Sequence, residues 1–178
     1  MFRVILGLGS NVGDRYRFLQ RAVEELSQRW SIQSVSGIYE TEPVGMELEA
    51  LNFYNMVADI ETPLFPADLL KELKKIEASL GRKSHTHRMP REIDIDIELY
   101  KGYSYEDSRV TVPHPELERR RFVLEPLYEI APTLVHPVNG RTIGTLLRQC
   151  TDRSRVVRTE HTLTTQFIRQ QKNIDSIN

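Results

Sequence analysis

One cysteine among 178 residues, Cys150, leaves no internal disulfide and fits a reducing compartment. A half-buried helix residue is its preferred reading over a reactive thiol. No apolar run approaches the roughly 20 residues of a membrane-spanning helix. The N-terminal Phe2–Leu8 stretch is too short for the apolar region of a secretory signal. The formal net charge is −1, so no global field draws the chain onto nucleic acid or anionic lipid. Any anionic ligand has to be held by a local basic cluster. There is no GxxxxGK[ST] phosphate loop, and Gly7-Leu8-Gly9 with Gly13 has GxGxxxG spacing instead of the GxGxxG of dinucleotide folds. These absences exclude a disulfide scaffold, a membrane protein and a P-loop enzyme. They leave a soluble, cytoplasmic chain, and nothing in it demands a second copy beyond a monomer.

What is present is an ordinary globular composition, 39% hydrophobic and 28% charged, in a length suited to one domain. Phe2–Leu8 is β-branched and apolar and runs into a Gly-rich turn. Phe18, Leu19, Ala22, Val23 and Leu26 form the stripe of an amphipathic helix over Asp14–Arg29. Ser31–Tyr39 and Phe53–Ile60 read as strands, with a turn at Thr41–Gly45 between them. Pro66 opens a second helix striped by Leu69, Leu70, Leu73, Ile76 and Leu80 and capped by Gly81. After a basic loop, Glu92–Leu99 alternates as a strand. The order β-α-β-β-α-β predicts an α+β, ferredoxin-like split βαβ core, an antiparallel sheet with helices packed on it. A short strand near Arg109–Val112 and a weak helix at Thr142–Cys150 follow. Residues 1–150 are expected to form the single domain, and 151–178 a polar, loosely ordered C-terminal tail.

The strongest chemical signal is Glu92-Ile93-Asp94-Ile95-Asp96-Ile97-Glu98-Leu99. Strand alternation sends Ile93, Ile95, Ile97 and Leu99 to the core and the four acids to the other face. Carboxylates two residues apart stand about 7 Å from one another, close enough to grip one or two small hard cations. Acidic residues are poor strand formers, so a merely solvated face explains four of them weakly. Arg82, Lys83, His85, His87, Arg88 and Arg91 lie just upstream. A divalent ion on carboxylates beside a guanidinium-rich loop is what phosphoryl transfer requires. Alone, the basic loop reads as an exposed turn, and its two histidines lack the further ligands of a zinc site. Val112-Pro113-His114-Pro115 and Arg119-Arg120-Arg121-Phe122 offer a further, weaker phosphate cluster.

Taken in order, Gly9-Ser10-Asn11, Tyr39–Gly45, Phe53-Tyr54-Asn55, Glu77, Gly81-Arg82, Pro90–Ile97, Val112-Pro113-His114, Arg120 and Phe122-Val123-Leu124 resemble the 6-hydroxymethyl-7,8-dihydropterin pyrophosphokinases of folate biosynthesis. The resemblance implies ATP and two Mg²⁺ ions, with pyrophosphoryl transfer from ATP to the pterin's hydroxymethyl oxygen. It implies that Asp94 and Asp96 bind metal and that Arg82 and Arg91 are catalytic loop arginines. Glu77, Arg109, Thr111, His114 and Arg120 fall where the family holds ATP. Thr41, Val44, Phe53, Asn55 and Phe122 fall where it holds the pterin between two aromatic rings. Arg88-Met89-Pro90-Arg91 stands one residue shorter than the family's usual R-W-G-P-R run and lacks its tryptophan. The partners implied are these small molecules alone. Three rivals stay open: a homologue that binds nucleotide or pterin without turnover, an RNA-binding module of similar topology, and a pyrophosphokinase for a related pterin. The second lacks the interleaved basic and aromatic strand that such modules carry.

Overall fold

The fold is described from a computed structural model covering residues 1–42, 51–82 and 90–164. Its elements are β1 (Phe2–Ser10), α1 (Arg15–Ser27), β2 (Ser31–Val35), β3 (Tyr39–Thr41), β4 (Phe53–Thr62), α2 (Pro66–Ser79), β5 (Asp94–Tyr100), β6 (Tyr105–Glu106), β7 (Thr111–Val112), α3 (Arg121–Ile130), α4 (Ile143–Gln149) and β8 (Val156–Arg158). The main sheet runs β5-β1-β4-β3-β8, with β2 also on β4, and every pairing is antiparallel. With β2 and β3 taken together as one broken strand, this is the ferredoxin-like order. Among the described residues no helix is long and apolar enough to cross a membrane.

Both helices expected from periodicity form. Asp14 caps α1 by accepting the Arg17 N–H at 3.0 Å, and Pro66 opens α2 where its missing N–H costs nothing. Leu19, Val23 and Leu26 of α1 and Leu69, Leu73 and Ile76 of α2 are fully buried against one sheet face. The other face packs Ile5, Val57 and Leu99 against Val123, Leu124 and Leu127 of α3 and Ile143 of α4. The molecule is therefore three layers deep over most of the sheet. Where α3 and α4 do not cover the second face, it is open among the described residues.

Two departures from the expected strands shape that opening. Ser31–Tyr39 is not continuous: the ladder breaks at residues 36–38, and the Gly37 N–H turns to the Glu129 carboxylate at 3.1 and 3.2 Å. Nor does Glu92–Leu99 alternate throughout. The strand begins at Asp94, and Leu6 pairs with Ile97 while Ile5 pairs with Leu99, so Glu98 is the extra residue of a β-bulge. Leu99 consequently joins the second-face core instead of the cluster holding Ile93, Ile95 and Ile97.

The segment from Thr151 is less loose than its polarity suggests. Val156–Arg158 adds a strand beside β3, and Leu163 is buried in the α1/α2-side core. Three residues of strand and one isolated leucine leave no periodic trace in a sequence. Residues 165–178 lie outside the described residues.

Candidate active site

The uncovered part of the second face is a cavity of about 670 Å³. Its floor is made possible by glycine. Gly7 and Gly9 of β1 point the same way as Ile5, and side chains from both neighbouring strands lean across them. A Cβ on Gly7 would stand 2.7 Å from Glu98 Oε1, and one on Gly9 would stand 2.7 Å from Asn55 Oδ1. The Gly-x-Gly spacing, no dinucleotide motif, thus serves as clearance under two polar side chains.

On the β5 side, Asp94 and Asp96 line the cavity with Glu98 behind them. Asp94 pairs with Arg82, with Arg91 at 3.1 Å and with Lys74 at 3.9 Å. Gly81, at φ +96°, turns the chain so that the Arg82 N–H closes onto the Glu77 carbonyl at 3.1 Å and the guanidinium faces β5. Glu77 is fully buried below, 2.9 Å from Arg82 and 2.8 Å from Lys74, and accepts the Ile95 N–H at 2.7 Å. Burial pushes the Glu77 carboxyl above the ordinary range despite these cations. Asp94 is also pushed up by burial, but Arg91 and Arg82 outweigh it and leave it below the ordinary range. Arg91 is placed by Asn11, whose side-chain oxygen accepts the Arg91 N–H at 2.8 Å.

Arg120 reaches Asp96 at 3.1 Å and Glu98 at 3.3 Å from the start of α3. Glu98 is buried, its Oε2 has no hydrogen-bond partner among the described residues, and burial lifts its carboxyl to about 8. A carboxyl raised in the folded state keeps a proton that the unfolded chain releases, so its contribution to stability declines as pH rises from the ordinary range to about 8. Glu98→Gln is therefore expected to flatten the fall of Tm between pH 5 and 8, a slope worth at most about 1.4 kcal/mol per pH unit. Parallel melting curves for variant and wild type check this, and identical slopes would contradict it.

On the far side, Thr41, Phe53, Asn55 and Phe122 line the cavity. Asn55 is nearly buried and donates through Nδ2 to Thr41 Oγ1 at 2.6 Å, leaving Oδ1 over Gly9. The Arg91 guanidinium lies 5.6 Å from the Phe53 ring centroid, and that of Arg120 lies 5.7 Å from Phe122. The aromatic pair and the charged floor therefore abut.

His114 lines both this cavity and a second one of about 450 Å³, where Thr111 and His136 also sit. The Glu116 N–H donates to His114 Nδ1 at 3.0 Å, which puts the neutral ring's proton on Nε2. Burial and the Arg120 charge lower its pKa. Arg109 lines neither cavity and pairs with Asp107 at 2.8 Å on the β6–β7 turn. Glu77 lies under the cavity, and Val44, Lys83 and Met89 are outside the described residues. Sequence reasoning missed Lys74, Glu42, Gly7 and Gly9 as lining residues. The glycines carried a usable signal, two residues apart on one strand face; Lys74, on the polar side of α2, carried none.

Among the described residues no group of three or more His, Cys, Asp or Glu makes a self-sufficient metal cage. Two carboxylates facing a cavity still fit Mg²⁺, which takes one or two protein oxygens and completes its shell with phosphate and water.

The 7,8-dihydro-6-hydroxymethylpterin-pyrophosphokinase (HPPK) pattern matches residues 5–132. The chain is 45% identical over 138 residues to the 2-amino-4-hydroxy-6-hydroxymethyldihydropteridine pyrophosphokinase of Aquifex aeolicus, covering 78% of this chain and 86% of that one. It is 44% identical over 127 residues to the protein of the same name from Bacillus subtilis, covering 70% and 75%. In fold it is similar to the HPPK-DHPS A437G protein of Plasmodium falciparum, with a TM-score of 0.69 at 15% identity over 83% of this chain and 45% of that one. This chain belongs to the 7,8-dihydro-6-hydroxymethylpterin-pyrophosphokinase family.

Proposed function

We propose that the chain transfers the β,γ-pyrophosphoryl group of ATP to the hydroxymethyl oxygen of 6-hydroxymethyl-7,8-dihydropterin, giving the pterin diphosphate and AMP, a step of folate biosynthesis. The new bond joins that oxygen to the β-phosphorus, and the bond from the β-phosphorus to the bridging α-oxygen breaks. The observation that carries the reading is the abutment in one cavity of an aromatic pair, Phe53 and Phe122, with a floor of Asp94, Asp96, Arg82, Arg91 and Arg120. A flat heterocycle wants two apolar faces and in-plane hydrogen-bond partners. Phe53 and Phe122 give the faces, and Asn55 with Thr41 gives the edge contacts.

Asp94 and Asp96 would hold two Mg²⁺ ions, which when bound with ATP neutralise charge on its phosphate oxygens. Arg82, Arg91 and Arg120 carry delocalised positive charge to the group in transit. His114 and Thr111 lead from the phosphate end into the second cavity, which has room for the nucleoside. Arg109, paired with Asp107 on the turn beside it, would have to leave that pair to reach ATP, and Glu77 fixes Arg82 and Lys74 from below.

Products formed from ATP, Mg²⁺ and the hydroxymethyl-dihydropterin are expected to be AMP and a pterin diphosphate by mass spectrometry. ADP would mean another bond is cleaved, and no product would leave a binding protein. Asn55→Ala is expected to weaken pterin binding about tenfold and leave ATP binding nearly unchanged, because its amide serves one ligand only. Calorimetric titration with each ligand checks it; an equal loss for both would point to the fold.

A further inference from the structure

We infer that the C-terminal segment from Arg155 to Thr164 is a positioning element for the pterin side of the site. This rests on the reading of Thr41 and Asn55 as pterin residues and goes beyond it, because the segment lies past the family match at residue 132. Strand β3 is three residues long, and its last residue, the buried Thr41, accepts the Asn55 amide at 2.6 Å. The next residue, Glu42, lines the cavity. Without a second neighbour, so short a strand would be a sheet edge held by β4 alone. Instead β8 pairs along its whole length, with Thr41 opposite Val156. The pairing continues beyond both ends, from Glu42 N–H to the Arg155 carbonyl at 3.4 Å and from Thr159 N–H to the Ile38 carbonyl at 2.8 Å.

The segment is itself clasped from behind. The His161 ring lies 5.4 Å from Tyr16 of α1 and 5.5 Å from Tyr54 of β4. Tyr16 donates to the Thr162 carbonyl at 3.0 Å, and Leu163 is buried in the core. Gln20 and Thr164 exchange two hydrogen bonds, at 2.9 and 3.2 Å. Helix α1 and strand β4 thus hold the segment, the segment holds β3, and β3 holds the Asn55 amide with Oδ1 over Gly9 at the cavity. The phosphate-binding floor on β5 lies across β1 and β4 from it, outside this chain of contacts.

Val157 tests the chain of contacts without touching the core. It is exposed, and ladder alternation puts it in a hydrogen-bonded pair with Glu40. Proline there deletes the N–H, whereas threonine keeps it. Binding of 6-hydroxymethyl-7,8-dihydropterin, in the presence of a non-hydrolysable ATP analogue, and of the analogue alone is measured on the full chain. Val157→Pro is expected to lose pterin affinity and raise the pterin KM about fivefold to tenfold, with kcat and analogue binding within about twofold. Val157→Thr is expected to match wild type. If the proline variant does not fold, His161→Ala, which leaves β8 intact, is expected to show a loss of about threefold in the same direction. A folded Val157→Pro that binds pterin as wild type does, or that loses both ligands equally, overturns the positioning role. So does an unchanged His161→Ala where the proline variant fails. Wild type that takes up the analogue but no pterin would instead overturn the reading of the site.

Discussion

Asp96→Ala is expected to lower turnover roughly a thousandfold or more while melting close to wild type. The two aspartates have the same spacing logic but different surroundings. Asp94 is 19% exposed and compensates Arg82, Arg91 and Lys74, so removing it also leaves three cations around an empty position. Asp96 is 37% exposed and, among the described residues, makes one ion pair, to Arg120, which keeps Glu98 when Asp96 is gone. A half-exposed pair contributes little to folding, on the order of 1 kcal/mol or less. Its loss from the reaction is another matter, since the transferred group carries dense negative charge that a carboxylate-held Mg²⁺ would neutralise. Asp96→Ala therefore separates chemistry from stability, and Asp94→Ala does not. Steady-state rates in Mg²⁺ with melting curves on the same preparations are the measurement. Near-normal turnover would remove Asp96 from the metal site.

The elements that sequence reasoning recovered are those whose residues repeat a period over many positions. Helices α1 and α2 carry unbroken apolar stripes and sharp ends, Asp14 and Pro66 at the starts and Gly81 after the second. Strand β1 is apolar from Val4 to Leu6 because it is central and covered there on both faces. What escaped was set by partners distant in sequence. The bulge at Glu98 arises because Ile5 and Leu6 meet Leu99 and Ile97, a register that β5 cannot announce alone. The break after β2 depends on Glu129, far along the chain, receiving the Gly37 N–H.

The site divides along the same line. Asp94, Asp96, Phe53 and Asn55 stand in locally patterned strands, and all four line the cavity. Arg120 and Phe122, from a segment with little period of its own, were legible through family resemblance. Glu98 was legible as an acid on the site's face but not as a buried one, since its burial follows from the bulge and from Gly7 beside it. The role of β8 was invisible because a strand of three residues has no pattern until its neighbour is known.

Read from sequence, Arg82 and Arg91 are equivalent, the two ends of one basic loop; the structure separates them. The Arg82 side chain is only 7% exposed and is wedged between Asp94 and the fully buried Glu77. Arg82→Ala leaves Glu77 with Lys74 as its remaining cation among the described residues, and breaking a buried pair in this way costs about 3 kcal/mol or more. In a chain of this length that lowers Tm by roughly 6–12 °C, so its loss of activity mixes chemistry with a weakened fold. Arg91 is held differently. Its backbone stays tied to Asn11 whatever its side chain is, and its guanidinium lies between Asp94 and the Phe53 face, at the junction of the charged floor and the aromatic pair. Arg91→Ala is expected to keep Tm within a few degrees, to keep ATP binding, and to lose about two to three orders of magnitude in kcat, the scale of a deleted transition-state donor. An interaction made only in the transition state lowers kcat and kcat/KM together. Arg91→Lys should recover part of the rate, since it restores charge but not the planar fork. Single-turnover rates and ATP titrations for Arg91→Ala, Arg91→Lys and Arg82→Ala, each beside its own melting curve, decide the assignment. Full chemistry in Arg91→Ala would leave that residue with nothing more than a contact to Asp94.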